Sequence, residues 1–157
     1  MAELEELYRE IILDHYRSPR NRGELTDERA IRVEGFNPLC GDEIVVTILV
    51  DDGLLSDIKI GGQGCSISQS SASLMSAAVK GKSIEQVRQA IDTFKRLMTV
   101  HEAQLEDSEV ATEPEPVDLR SLGELAALQG VVKFPVRIKC ATLSWNTLVQ
   151  CLEEAGV

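Results

Sequence analysis

The 157-residue sequence has few of the residues that bind nucleic acid or cross membranes. Aromatic residues make up 4% of it, with a single Trp, which leaves little for stacking on single-stranded nucleic acid. The 16 Lys and Arg residues face 26 Asp and Glu, so the net charge of −10 provides no positive field to attract phosphates or anionic lipids. Its apolar runs are only about six residues long, whereas a helix needs roughly 20 to span a bilayer. We therefore predict neither a nucleic acid nor a membrane as partner.

The N-terminus and the cysteines indicate a reducing compartment. The first ten residues carry four glutamates and no apolar core, so we expect no secretory signal and a cytoplasmic location. Reduced thiols are then expected for the four cysteines, which are Cys40, Cys65, Cys140 and Cys151. No C-x-x-C motif is present, so neither a zinc knuckle nor a thioredoxin-like redox pair is indicated. The fold must bring distant thiols together to make a site; the alternative is four unrelated buried thiols.

Acidic residues are concentrated in one segment, residues 101–119, which has seven Asp or Glu and no Lys or Arg. Outside that segment, 16 basic residues face 19 acidic ones, which is close to balance. Pro114 and Pro116 exclude a continuous helix there. We predict a single domain over residues 1–157, with an acidic, Pro-containing insertion at about 101–119.

The remaining sequence predicts an α+β fold, with a small antiparallel three-stranded sheet packed against several helices. Strands are predicted at 33–36, 43–50 and 54–60, the last two joined by the turn Asp51-Asp52-Gly53. Helices are predicted at 3–16, at 66–79, from a Ser83–Gln86 capping box to about 100, at 121–128 and at 142–155. An extended segment is expected over 131–139, through Pro135, so that Cys140 immediately precedes the last helix.

Three cysteines fall at turns or helix starts. Cys40 lies in a turn before a strand, whereas Cys65 and Cys140 each precede a predicted helix, whose N-terminal N–H groups favour a thiolate. Asp42, two residues after Cys40, can turn its carboxylate to the same point. Three thiolates and one carboxylate suit Zn²⁺, or an iron–sulfur cluster with one oxygen ligand.

Cys151 and His15 are predicted to be structural. Cys151 follows Cys140 by 11 residues, or about 16 Å along a helix axis, so the two cannot share a metal unless the helix breaks. We therefore predict that Cys151 is a small apolar packing residue. His15 shares a helix face with apolar residues, which is more typical of a structural histidine than of a ligand.

Three segments of the sequence match the cysteine motifs of one known family: Cys40-Gly41-Asp42, Gly62-Gln63-Gly64-Cys65-Ser66, and Lys139-Cys140-Ala141-Thr142-Leu143-Ser144-Trp145. They resemble the motifs of the IscU-like family of iron–sulfur cluster assembly proteins. Residues 14–21 also resemble that family's opening helix and turn. Within the family the sequence is most similar to the SufU type, because Lys139 stands where scaffold proteins of the IscU type usually have a His. The insertion and the segment from Leu128 to Pro135 are further SufU features.

The resemblance implies a zinc-dependent sulfur carrier. It implies Zn²⁺ bound by Cys40, Asp42, Cys65 and Cys140. It also implies that Cys40 accepts persulfide sulfur from a SufS-like cysteine desulfurase, itself a pyridoxal-phosphate enzyme, and passes it to a downstream iron–sulfur scaffold. Lys139 and Arg137 are predicted to support the reaction by offering positive charge to thiolates and to the anionic persulfide.

Two other functions are consistent with the same residues. One is a scaffold that assembles a [2Fe–2S] cluster on the same four ligands, so that iron or the cluster replaces zinc. The other is an interaction module whose zinc is purely structural, and whose fold would then depend on the metal.

Overall fold

The computed structural model describes residues 2–38, 41–105, 125, 127–128 and 135–157 of the chain. Within these ranges the elements follow the order α1 (Ala2–Arg17), β1 (Ile31–Asn37), β2 (Asp42–Asp51), β3 (Leu54–Gln63), α2 (Ser66–Val79), α3 (Ile84–Leu105) and α4 (Pro135–Ala155). They confirm the predicted α+β fold. None of the described helices combines the length and the apolar character needed to cross a membrane.

The three strands form one antiparallel sheet in the order β1-β2-β3. The predicted turn between β2 and β3 is confirmed: Asp52 and Gly53 both have positive φ, 50° and 72°, the conformation that two-residue hairpin turns require. Five of the ten β2 residues are buried and three more are half-buried, as its β-branched sequence predicts. Its inward side chains Ile44, Val46 and Ile48 are fully buried in the core.

Helices α2 and α4 pack against the sheet and against each other. Ser71 fixes their crossing: its hydroxyl donates to the Ala141 carbonyl (2.6 Å) and accepts from the Trp145 indole N–H (3.1 Å). Trp145 also stacks on Phe94 of α3, with ring centroids 4.4 Å apart. The serines of α2 therefore bond and pack inside the protein, and the Ser71 bonds hold the chain beside Cys140 against α2.

Helix α1 is bonded to α2 through a buried histidine, which confirms the structural role predicted for it. His15 is 1% exposed, and its Nδ1 lies 2.7 Å from the Ser73 hydroxyl. The same hydroxyl accepts the backbone N–H of Arg20 at 2.8 Å. The partly buried Arg20 bond holds the segment that follows α1 close to α2.

The last helix differs most from prediction. α4 begins at Pro135, so residues 135–139 are helical and the extended segment predicted through Pro135 is wrong. Proline at a first helical position starts a helix, because its missing N–H would have no intrahelical partner there. Cys140 is therefore the sixth residue of α4 and does not precede it. Residues 131–134 lie outside the described residues.

Other boundaries shift by less. The Ser83–Gln86 capping box is confirmed by reciprocal bonds of 3.1 and 3.2 Å. α3 then runs to Leu105, so the first five residues of the predicted insertion at 101–119 are helical and the others lie outside the described residues. Of the helix predicted at 121–128, the structure describes Leu125, Ala127 and Leu128, all buried. A single domain over 1–157 stays a prediction.

Candidate metal centre

Asp42 is a buried carboxylate at the start of β2. It is 1% exposed, and its Oδ1 accepts the backbone N–H of Cys65 at 2.9 Å. Gly64 makes this approach possible, because a Cβ at that position would lie 2.5 Å from Asp42 Oδ1. The second oxygen, Oδ2, lies 3.8 Å from Cys65 Sγ. One carboxylate thus fixes the Cys65 backbone and also faces its sulfur.

Cys65 is the N-cap residue of α2, as the sequence predicts. Its backbone is extended, with φ −72° and ψ 168°, and its Sγ accepts the backbone N–H of Ser68 at 3.4 Å. A helix N-terminus has unpaired N–H groups and a positive end of the helix dipole, both of which favour a thiolate. The predicted position of Cys65 at the start of a helix is therefore confirmed.

Cys140 reaches the same region from the first turns of α4. Its side chain is fully buried, and its Sγ accepts a hydrogen bond from Asn37 Nδ2 at 3.7 Å. The prediction that the α4 N-terminus stabilises this thiolate is wrong, because Cys140 lies one and a half turns inside the helix. Within the described part of the chain, the Asn37 side-chain amide donates to this sulfur.

Asp42, Cys65 and Cys140 each offer one ligand atom, and these three atoms all lie within 4.8 Å of one another. In tetrahedral zinc coordination the bonds to sulfur and oxygen are about 2.3 and 2.1 Å, which separates neighbouring ligand atoms by roughly 3.6 to 3.8 Å. The 3.8 Å between Cys65 Sγ and Asp42 Oδ2 is at that spacing. Two sulfurs and one carboxylate oxygen are also a donor set that zinc accepts. The three side chains therefore fit a metal ion.

Cys40, the fourth predicted ligand and the predicted sulfur acceptor, lies outside the described residues, as does Leu39. The residues on either side of them are described. Asn37 pairs with Asp42 across β1 and β2, and the Gly41 backbone N–H donates to the Asn37 carbonyl at 2.8 Å. By sequence, Cys40 belongs to this short connection, two residues before the cluster carboxylate.

The two predicted supporting cations are on the helix that carries Cys140. Arg137 and Lys139 are both exposed residues of α4. The structure therefore brings together three of the four predicted ligands and puts both predicted cations within three residues of one of them. The fourth ligand, Cys40, is not described.

Cys151 lies at the other end of α4. It is fully buried, and its Sγ lies 3.5 Å from the Val46 carbonyl oxygen, to which it donates. Burial, with a smaller contribution from the Glu154 carboxylate, raises the pKa of Cys151 to about 12. The prediction of a packing thiol is confirmed, since this residue belongs to the apolar core.

Comparison with known proteins identifies the family. The sequence matches the family described as the NifU-like N terminal domain over residues 7–141, which is most of the chain. The protein belongs to this family. The match extends from α1 to the residue after Cys140, so it includes the first two cysteine motifs and the start of the third, with its cysteine.

Two relatives of this NifU-like chain have nearly its full length. It is 46% identical over 157 residues to the zinc-dependent sulfurtransferase SufU of Bacillus subtilis (strain 168), covering 99% of this chain and 97% of that protein. It is 36% identical over 156 residues to the iron–sulfur cluster assembly scaffold protein IscU of Streptococcus pyogenes serotype M1, covering 99% of this chain and 89% of that protein. Both confirm the IscU-like resemblance, and the higher identity to the SufU relative confirms the resemblance to the SufU type.

The fold of the NifU-like chain also matches a solved structure. A crystal structure described as that of an iron–sulfur cluster assembly scaffold protein for the SUF system, from Fervidobacterium islandicum AW-1, superposes with a TM-score of 0.76. The two chains are 27% identical, and the match covers 90% of this chain and 93% of the other. Sequence and fold therefore agree that this chain is of the iron–sulfur cluster assembly family.

Asn37 is the site residue that sequence reasoning missed. It lies 103 positions from Cys140, and no motif or spacing links the two. The one sequence signal for Asn37 is that it lies three residues before Cys40. Its contact follows from the packing of α4 on β1, which local patterns do not report.

Proposed function

We propose that this protein is a zinc-bound sulfur acceptor, which takes sulfur from a cysteine desulfurase onto Cys40 and passes it to a downstream iron–sulfur scaffold. The observation that carries the proposal is the cluster of two thiols and a carboxylate within 4.8 Å. It is further supported by the 46% identity to a relative that is named a zinc-dependent sulfurtransferase.

We propose Cys40, Asp42, Cys65 and Cys140 as the ligands of Zn²⁺. Two peptide units separate Cys40 from Asp42, so their Cα atoms are at most about 7 Å apart, which puts a fourth thiol within reach of the cluster. When bound, zinc would keep the thiolates deprotonated near neutral pH. The carboxylate argues against a purely structural site, because structural zinc is normally closed by Cys and His alone.

The transfer itself requires only thiolate chemistry. The Cys40 thiolate attacks the outer sulfur of the desulfurase persulfide, and a new S–S bond forms at Cys40 Sγ. The S–S bond in the desulfurase breaks, and its cysteine leaves as a thiolate with the electron pair. One S–S bond breaks and one forms, so the exchange is redox-neutral and consumes no oxidant or reductant. Cys40 then carries a persulfide that a downstream thiol can accept by the same exchange.

Arg137 and Lys139 are proposed to attract the anionic persulfide and its carrier. Both are exposed on α4, and Lys139 is adjacent in sequence to Cys140. Exposed charges act mainly on association rates and are screened by salt. We expect Lys139→Ala to raise several-fold, at low salt, the concentration of this protein that gives half-maximal stimulation of the desulfurase. At high salt the substitution should have little effect. An unchanged value at low salt would remove Lys139 from the proposal.

The test of the proposal is desulfurase turnover with and without this protein, together with metal analysis of the same sample. We expect stimulation that follows zinc content and disappears in Cys40→Ser. Protein purified without oxygen should be colourless and hold near-stoichiometric zinc. A brown protein with iron and sulfide would instead support the scaffold function. Collapse of the fold on chelation, without any stimulation of the desulfurase, would support structural zinc.

A further inference from the structure

Asn37 contacts two of the three cysteine-bearing segments around the cluster, those of Cys140 and Cys40. Its side-chain Nδ2 donates to Cys140 Sγ at 3.7 Å, and its main-chain carbonyl accepts the N–H of Gly41, the residue after Cys40, at 2.8 Å. The residue is 6% exposed, so the contact with Cys140 is made away from solvent. A buried amide donor at a sulfur atom is a specific arrangement, because a polar side chain is costly to bury without partners.

The register of the sheet gives this contact a counterpart. Asn37 and Asp42 are direct partners across β1 and β2, and both side chains are buried. Asp42 accepts the Cys65 N–H at 2.9 Å, while Asn37 donates to the Cys140 sulfur. The two residues of this strand pair thus each hold one cysteine: Asp42 holds Cys65 at the start of α2, and Asn37 holds Cys140 on α4.

The chemistry of an amide donor at sulfur differs from that of an apolar neighbour. An N–H directed at a thiolate fixes the direction of the sulfur and withdraws electron density from it. Hydrogen bonds of this kind around metal ligands set ligand orientation and donor strength, and their loss costs about 10-fold to 100-fold in metal affinity. Asn37 is neutral, so it provides this bond without adding a charge beside the ligands.

We propose that Asn37 is a positioning residue for Cys140, which orients its sulfur toward Asp42 and Cys65 and moderates its donor strength toward a metal. The inference rests on the proposed function, since it concerns the same cluster. It assigns a role to a residue outside the ligand set.

The experiment uses the full chain with Zn²⁺ and Co²⁺ as probes. Asn37→Ala removes the donor, and Asn37→Leu removes it while keeping the same number and branching of side-chain heavy atoms. Asn146→Ala is the matched control, because Asn146 is an exposed asparagine on α4. We expect both Asn37 variants to bind zinc about 10-fold to 100-fold more weakly in competition with a chelator, and the control to bind as the wild type does.

The Co²⁺ spectrum separates positioning from a general loss of stability. Without the N–H donor the thiolate is richer in electrons, so its sulfur-to-cobalt charge-transfer band should move to longer wavelength in both variants. A role confined to folding would lower the unfolding temperature but leave that band in place. Unchanged zinc affinity and an unchanged charge-transfer band in Asn37→Leu would overturn the inference. The proposed function would still stand in that case, because the wild-type protein binds the metal. Failure of the wild type to bind either ion would overturn both.

Discussion

The two ends of α4 each carry a fully buried cysteine, yet their surroundings differ completely. Cys140 lies among polar groups: the Asn37 amide donates to its sulfur, and Asp42 and Cys65 offer ligand atoms within 4.8 Å. Cys151 lies in the apolar core, where the polar groups at its sulfur are those of the backbone, the Val46 carbonyl and a Val33 backbone group. Burial therefore does not distinguish a proposed ligand from a packing thiol in this protein. The neighbouring donors and acceptors do.

The largest expected difference between the two ends is in zinc affinity. A four-ligand structural site is worth about 10–16 kcal/mol, so the loss of one thiolate should weaken zinc binding on the order of 100-fold to 1,000-fold. We expect that loss in Cys140→Ser and none in Cys151→Ser. The latter should instead lower the free energy of unfolding by about 1–2 kcal/mol, because it puts a hydroxyl in the apolar core. Chelator competition and urea unfolding measure the two effects. Equal zinc loss in both variants would contradict the comparison.

The second prediction concerns the carboxylate at the Cys140 end. Asp42→Asn keeps an oxygen that can accept the Cys65 N–H but removes the charge, so zinc affinity should fall about 10-fold with a small change in stability. Asp42→Ala also leaves that buried N–H unpaired, which should cost a further ~1–3 kcal/mol of unfolding free energy. Measuring both quantities in both variants separates the ligand role of Asp42 from its backbone role. Identical losses of stability in the two variants would assign no value to the bond with Cys65.

The sequence predicted the environment of Cys65 better than that of Cys140. Cys65 follows a glycine-rich segment at the end of a strand and precedes a helix-forming run, so its N-cap position is visible locally. The environment of Cys140 is not, because Pro135 can either interrupt an extended segment or start a helix, and local sequence does not decide between them. The Asn37 contact spans 103 positions and depends on how α4 crosses the sheet. The fold class and the clustering of Asp42, Cys65 and Cys140 were predictable because they follow from strand and helix patterns and from the motifs.

A pH dependence should mark the Cys151 end. Burial raises the pKa of Cys151 to about 12 from 9.0, so above pH 9 the unfolded chain loses a proton that the folded chain keeps. The free energy of unfolding should then fall as the pH rises between these two values, by at most about 1.4 kcal/mol per pH unit. Cys151→Ala should show a shallower fall than the wild type in urea unfolding above pH 9. Parallel pH profiles for the two proteins would contradict the assigned environment.

The smallest effect on stability is expected for Ser144, which lies on α4 between Cys140 and Cys151. Ser144 lies one turn after Cys140, and among the described residues its buried Oγ has no hydrogen-bond partner. Removing an unsatisfied hydroxyl is neutral or favourable, so Ser144→Ala should raise the free energy of unfolding by up to about 1 kcal/mol. Zinc affinity should stay at the wild-type value, since this hydroxyl is not part of the cluster. Weaker zinc binding in this variant would contradict the prediction and would show that Ser144 contributes to the metal site around Cys140.

The most direct test of the account is the position of the transferred sulfur. The metal-loaded protein would be mixed with a cysteine desulfurase and cysteine, trapped by alkylation and mapped by peptide mass spectrometry. We predict the mass of one added sulfur atom on the peptide containing Cys40, its absence in Cys40→Ser, and no added sulfur at Cys151 in any sample. Equal sulfur addition in Cys40→Ser, or sulfur found at Cys65 or Cys140 instead, would contradict Cys40 as the acceptor.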